Sequence, residues 1–265
     1  MKQRVYVCDG TMDGILTAVY EATRSKYGHA NIRIMEKEQI ETLELFCEYM
    51  DVEADMKKAE QVTGGILERI GEYGYYLLCH CCLSKEKGRS DAAYRFILYG
   101  MAQGQRVVEQ MAHPFVQPIY RMYRNVNNEV LHYKGFLRFM ELQNGIMAAK
   151  IRPENNILML VAPHFADRFQ GMNWIILDEG RNAAAIHKAY QEWVMVDGNY
   201  LEKSALSCWS EEEQLWQKTW QSFVDTIGIK ERENRNLQRQ MLPFRYREFM
   251  NEFVEKRKNQ VNDRR

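Results

Sequence analysis

Residues 132–145, HYKGFLRFMELQNG, lead into 146–169, IMAAKIRPENNILMLVAPHFADRF, and then into 173–197, NWIILDEGRNAAAIHKAYQEWVMVD. Short apolar runs separated by turn signals read as strands. Asn144-Gly145 is a strong hairpin signal, placing a turn between Phe136–Leu142 and Ile146–Ile151. Pro153–Asn156 turns into an apolar run at Ile157–Val161, read as a further strand. Pro163 suits the first turn of a helix, which places one over 163–169. In that helix Phe165 and Phe169 share one face, and His164 and Arg168 share the next. Trp174–Leu177, Ala183–His187 and Glu192–Val196 complete the strands, closed by Asp197-Gly198. The fold class read from this stretch is α+β: a central, mainly antiparallel sheet with a short inserted helix. The same stretch gathers polar residues beside aromatics: His132, Arg138, His164, Arg168, Asp178 and Arg181.

Working outward to the N-terminus, Arg4–Cys8 alternates and reads as a strand. Asp9-Gly-Thr-Met-Asp13-Gly14 is a turn-rich loop, a helix follows over Gly14–Lys26, and Asn31–Met35 reads as a second strand. This βαβ order sets Asp9 and Asp13 where ligand groups often sit, at the carboxyl end of a strand. The competing reading is that both cap or turn the backbone. The glycine spacing and lysine of a phosphate loop are missing. Residues 36–126 read as helical, including Thr42–Tyr49. Tyr75–Ser84 (YYLLCHCCLS) contains one Cys-x-x-Cys inside an apolar helical run. Structural zinc takes two such pairs, so a packed helix is the reading and no metal site is assigned.

Toward the C-terminus, Ser210-Glu-Glu-Glu213 reads as a capping box. Trp216, Trp220, Phe223 and Ile227 follow at helical spacing and read as a core stripe. The boundaries drawn from these patterns are 1–130 (βαβ plus helices), 131–200 (sheet module) and 201–265 (C-terminal helices packing on it), or one compact domain.

With 265 residues, 46% of them hydrophobic, the chain can bury a core without staples. Its formal net charge is zero, so nucleic-acid binding requires a local patch. Charge is unevenly spread. Residues 36–72 hold eleven acids against four bases, and residues 228–265 hold eleven bases against six acids. The acidic segment repels a phosphate backbone, whereas Arg235, Arg239, Arg245 and Arg247, with Tyr246, suit phosphate contact. Arg121 and Arg124 stand one turn apart among tyrosines and join Arg138 and Arg181 as further candidates. The start lacks the apolar core of a signal peptide. The longest apolar run, 157–163, falls far short of the roughly 20 residues of a membrane span. A cytoplasmic protein with reduced thiols and no membrane contact is expected.

Five stretches, YVCDGTMDGILTAVYEA (6–22), HYKGFLRF (132–139), APHFADRF (162–169), WIILDEGR (174–181) and RENRNLQRQMLPFRYR (232–247), resemble a bacterial family of DNA metabolism or DNA repair proteins. The matches span nearly the whole chain in order. In that family the domain has no established chemistry. Its members are encoded beside a radical-SAM protein, and longer ones carry a uracil-DNA-glycosylase-like domain. That extension and its Gly-rich, Pro-containing loop are missing here, so base excision by this chain is not expected. Gln240-Met241-Leu242-Pro243 stands where the family is richer in histidine.

Three functions follow as expectations. The first is a nucleic-acid-binding accessory to a radical-SAM partner, with DNA on the arginines named above and His164 and Arg168 lining a pocket. The second is a nucleotide- or nucleobase-modifying enzyme drawing on His132, His164, Arg168, Asp178, Asp9 and Asp13. The third is a structural partner without an active site. No cofactor is implied by any of them.

Overall fold

The computed structural model describes residues 3–202 and 204–253. The chain is α+β and divides into two compact units, Met1–Asn128 and Glu129–Arg265.

In the first unit β1 (Gln3–Cys8), α1 (Met12–Arg24) and β2 (Ile32–Glu36) form the expected βαβ. Strand β3 (Cys47–Asp51) joins them, giving a three-stranded parallel sheet in the order β2-β1-β3. The helix expected over Thr42–Tyr49 is therefore corrected. Leu43, Leu45 and Phe46 are exposed, and Cys47–Asp51 takes the open edge of β1 instead. Backbone pairing with a strand already in place outweighs a short helical spacing, because strand preference is set by context. Next come α2 (Met56–Arg69), α3 (Glu72–Leu83) and α4 (Arg89–Gln103), and then α5 (Gln117–Phe136). The helix expected over Gly104–Arg124, with Pro114 and Pro118 bending or dividing it, is divided: a 3-10 segment covers Gly104–Glu109, and α5 begins just before Pro118, which fits a first turn. The core joins Ile15, Leu16 and Val19 of α1 to Ile32 and Ile34 of β2, with Leu77, Tyr94 and Phe96 from the helices.

The second unit holds β4 (Met140–Glu141), β5 (Met147–Ile151), α6 (Leu158–Arg168), β6 (Trp174–Asp178), β7 (Ala183–His187) and β8 (Val194–Asp197), in sheet order β4-β5-β6-β7-β8. Three of the four pairings are antiparallel, and β5–β6 is parallel. That single parallel pair explains two corrections. Parallel neighbours need a long crossover. The run read as a strand at Ile157–Val161 therefore supplies the first turns of α6, and Pro163 falls inside the helix rather than at its start. The strand expected over Phe136–Leu142 shrinks to Met140–Glu141 because α5 continues to Phe136. The Asn144-Gly145 turn is as read: Gly145 takes φ +76, and its N–H donates to the Leu142 carbonyl over 2.8 Å.

Two helices close this unit, α7 (Glu211–Ile227) and α8 (Arg235–Met241). Ser210 caps α7, its Oγ accepting from the Glu213 N–H. The reciprocal half of the capping box is diverted, since the Glu213 carboxylate accepts from the Glu141 N–H of β4. The stripe of α7, read as core, is exposed: Trp216, Trp220, Phe223 and Ile227 lie between 45% and 69% accessible. Among the described residues no helix is long and apolar enough to cross a membrane.

Candidate nucleic-acid interface

The last turns of α5 project Glu129, His132, Tyr133 and Phe136 at spacings of three and four, so they lie along one side of the helix. Glu129 is only 1% exposed. Its carboxylate accepts from the Glu154 N–H (2.9 Å), the Asn155 N–H (2.8 Å) and the Asn155 side-chain amide (2.7 Å). A buried charge is tolerated when hydrogen bonds replace water, and here three donors from one turn do so. Asp178, at the end of β6, is also fully buried. It accepts from the N–H groups of Gly180 and Arg181 and from the Arg181 guanidinium at 3.1 Å. Arg181 also donates to the carbonyls of Pro153 and Glu154. The turn after β6 is thereby strapped to the turn after β5.

The C-terminal segment closes over this knot. Arg245 pairs with Glu154 and donates to the Tyr246 hydroxyl at 2.8 Å. The buried Tyr246 ring stands 4.8 Å from His132, 5.2 Å from Tyr133 and 5.7 Å from Phe136. Burial pushes the His132 pKa down, helped by Arg245 and opposed by Glu129. Its Nδ1 is buried without a hydrogen-bond partner among the described residues. Burial pushes the Tyr133 hydroxyl up, and the nearby Glu129, Tyr246 and Asp178 add to this, while a bond with the Arg152 backbone opposes it. A cavity of about 10 Å³ beside Tyr133, Arg138, Lys150 and Arg245 has room for about one water.

Of the six residues considered for acid–base work, His132 and Asp178 thus share one neighbourhood, where Asp178 is occupied as a strap. His164 and Arg168 lie elsewhere on α6. His164 is half-buried, edge-on to Phe165, and its pKa falls through burial, Lys134 and Arg168 against Asp167. Arg168 is exposed over Phe169 at 5.7 Å. Among the described residues no hydrogen bond or ring contact joins this pair to His132 or Asp178. Asp9 and Asp13 belong to the first unit. Asp9 Oδ1 accepts from the Thr11 N–H and hydroxyl, and Thr11 caps α1 at Gly14. Asp9 therefore has the turn role. Asp13 sits in the first turn of α1, where its charge suits the helix dipole.

The arginines divide by what holds them. Arg121 pairs with Glu86, Arg138 with Glu252 and Arg235 with Glu233. Arg247 is buried and donates to the carbonyls of Leu242 and Gln238. Burial lowers its pKa, and Arg239 adds to this. Arg124 is exposed on α5. Arg239 has a different environment. Its guanidinium lies 5.4 Å over Phe244, and Arg247 lies 4.7 Å from the same ring. Phe244 is itself 60% exposed. Two rings close by in sequence are also covered by guanidinium groups: Phe249 by Arg152 and Tyr246 by Arg245. An exposed ring beside the Arg239 guanidinium can stack a base while that charge meets phosphate. The basic residues Lys256, Arg257, Lys258, Arg264 and Arg265 lie outside the described residues, as does the side chain of Lys230.

Sequence reading did not single out Glu129, Asn155 or Phe244. Glu129 had a signal: one acid amid Val126, Val130 and Tyr133 on an apolar helix side. In the first unit the pairing of Glu36 with Arg89 and Ser90, which fixes the end of β2 to α4, was equally unmarked. Among the described residues no group of three His, Cys, Asp or Glu side chains is arranged to hold a metal ion.

No curated protein matches the chain. A family model described as a domain of unknown function, DUF4130, matches residues 87–252. The match takes in α4, α5, the five-stranded sheet and the segment bearing Phe244, and it exceeds half of the chain. The chain therefore belongs to the DUF4130 family.

Proposed function

We propose that this protein is a nucleic-acid-binding accessory in DNA repair or DNA metabolism, working beside a radical-SAM partner. The observation that carries the binding role is Phe244, an exposed ring flanked by Arg239 and Arg247. The repair context and the partner rest on the family resemblance of the five sequence stretches. Most other candidate arginines are neutralised by carboxylates or spent on backbone carbonyls, so few phosphates are engaged and affinity is modest. Single strands are favoured over duplex, because an exposed ring needs an unstacked base.

Fluorescence anisotropy with a labelled single-stranded oligonucleotide tests the reading. With the one phosphate at Arg239 engaged, raising salt from about 50 to about 200 mM weakens binding roughly 2.6-fold. Phe244→Ala costs about 1–3 kcal/mol of binding, the usual worth of one stacked base. Arg239→Ala flattens the salt slope by about 0.7, one phosphate on a single strand. Undetectable binding at about 50 mM salt, where such contacts still hold, would sink the proposal. Co-purification with the radical-SAM protein tests the partner separately.

A further inference from the structure

The end of β7 and the turn after it build a cleft that the arginine–aromatic surface does not use. It has a volume of about 450 Å³, with Asp167 and Gln170 from α6 and its C-terminal end on one side and His187, Tyr190, Glu192 and Trp193 on the other. Small-molecule sites run about 300–1,000 Å³, so a ligand of modest size fits.

Its walls are pre-set. His187 is 3% exposed, and its ring stacks on Trp174 at 5.0 Å with 9° between planes. Its Nδ1 lies 2.9 Å from the Met172 carbonyl oxygen. A carbonyl only accepts, so Nδ1 carries the hydrogen, and in the neutral ring Nε2 keeps a lone pair. Tyr190 adopts φ +61, uncommon for a residue with a side chain. Its N–H donates to the Gln170 carbonyl over 2.7 Å, and its ring rests on Gly171, where a Cβ would come within 3.0 Å of the hydroxyl. The turn is thus fastened to the end of α6.

The chemistry of the lining selects a ligand. Asp167, Glu192 and His187 Nε2 all accept hydrogen bonds, so the ligand must donate them. Tyr190 and Trp193 offer ring faces, so the donor belongs on a planar ring. No lysine or arginine is among the lining residues, so a phosphate gains nothing here. We propose that this cleft binds a nitrogen heterocycle bearing an amino group, of the guanine or cytosine type, as a base or nucleoside. Its amino group, joined in guanine by the ring N1–H, meets the carboxylates, and Gln170 pairs with its carbonyl oxygen. The site stands independently of the Phe244 surface, because a nucleoside carries no phosphate.

Isothermal titration of the full chain with guanosine, cytidine, uridine and choline tests it. Guanosine or cytidine binds, and uridine, whose carbonyls face the carboxylates, binds at least roughly tenfold more weakly, the usual worth of one charged hydrogen bond. Asp167→Asn and Trp193→Ala each weaken guanosine binding roughly tenfold, through lost pairing and lost stacking. Asp167 is exposed, so its variant keeps the wild-type melting curve and separates binding from folding. Uridine binding as tightly as guanosine, choline alone binding, wild-type affinity in both variants, or no binding by any probe would overturn the proposal. Nucleoside binding without oligonucleotide binding would retain this site and remove the interface proposed above, and the converse result would do the reverse.

Discussion

Helices α3 and α7 are both rich in apolar residues, yet they have opposite environments. In α3, Leu77 and Cys81 are wholly buried, and Leu78, His80 and Cys82 nearly so. In α7 none of the seventeen residues is buried. The difference is present in the sequences once coverage is separated from periodicity. YYLLCHCCL is apolar almost all round, as a helix enclosed by neighbours must be. In α7, Trp216, Trp220, Phe223 and Ile227 form one stripe spaced by four, three and four, flanked by Leu215 and Val224, and the remainder is polar. A stripe marks the face that would be covered and says nothing about whether this chain covers it. Isolated helices of such length are marginal in water, so α7 draws its order from its cap and from the Glu213 link to β4.

The sharpest break of this comparison is a pair of truncations. Leu77→Ala opens a cavity in a packed helix and costs about 2–5 kcal/mol in chemical denaturation. Phe223→Ala changes stability by no more than about 0.5 kcal/mol, as for exposed sites. A loss above about 1 kcal/mol for Phe223→Ala would show that the stripe is covered in solution, since uncovered surface positions do not cost that much.

A second contrast uses the thiols. Burial pushes Cys82 up to about 12 and Cys81 well above its usual range. A thiol whose folded pKa is raised stabilises the fold fully below its unfolded value, and that contribution fades as pH rises through the folded one. Stability should therefore fall from about pH 8.5, where free cysteine ionises, toward 12, and Cys82→Ala should flatten the decline. At pH 8 iodoacetamide should label the exposed Cys208 quickly, and Cys81 and Cys82 only after denaturation. Rapid native labelling of Cys81 would mean that α3 opens readily.

How much was legible follows the same division. The βαβ start was readable because alternation, an Asp-Gly turn and a helix stripe agree locally. The strands at β6, β7 and β8 were readable for the same reason. Strand β3 and the first turns of α6 were misread because their state is set by distant partners: the open edge of β1 and the need to cross between parallel β5 and β6. Among polar residues, Asp9 and Asp178 were visible beside turns, and the turns are what they serve. His187 escaped notice because its partner lies 15 residues away, a distance that local spacing does not encode, and Glu129 because its local signal does not name the turn 25 residues on that it serves. Phe244 was passed over for the arginines around it, although its exposure is what distinguishes Arg239 from its paired neighbours.

The smallest effect separates the two kinds of helix most cleanly. Thr11 and Ser210 each cap a helix with one hydroxyl accepting a backbone N–H at 3.0 Å. Replacing either with alanine removes about 1 kcal/mol from its helix. For α1, buried against the parallel sheet, that loss passes into the cooperative transition, and Thr11→Ala should lower the denaturation midpoint. For α7, with no buried residue to couple it to the sheet, Ser210→Ala should reduce the helical signal in circular dichroism and leave the midpoint in place. Equal midpoint shifts in the two variants would mean that α7 unfolds together with its unit, and its exposed stripe would then have to be engaged in solution.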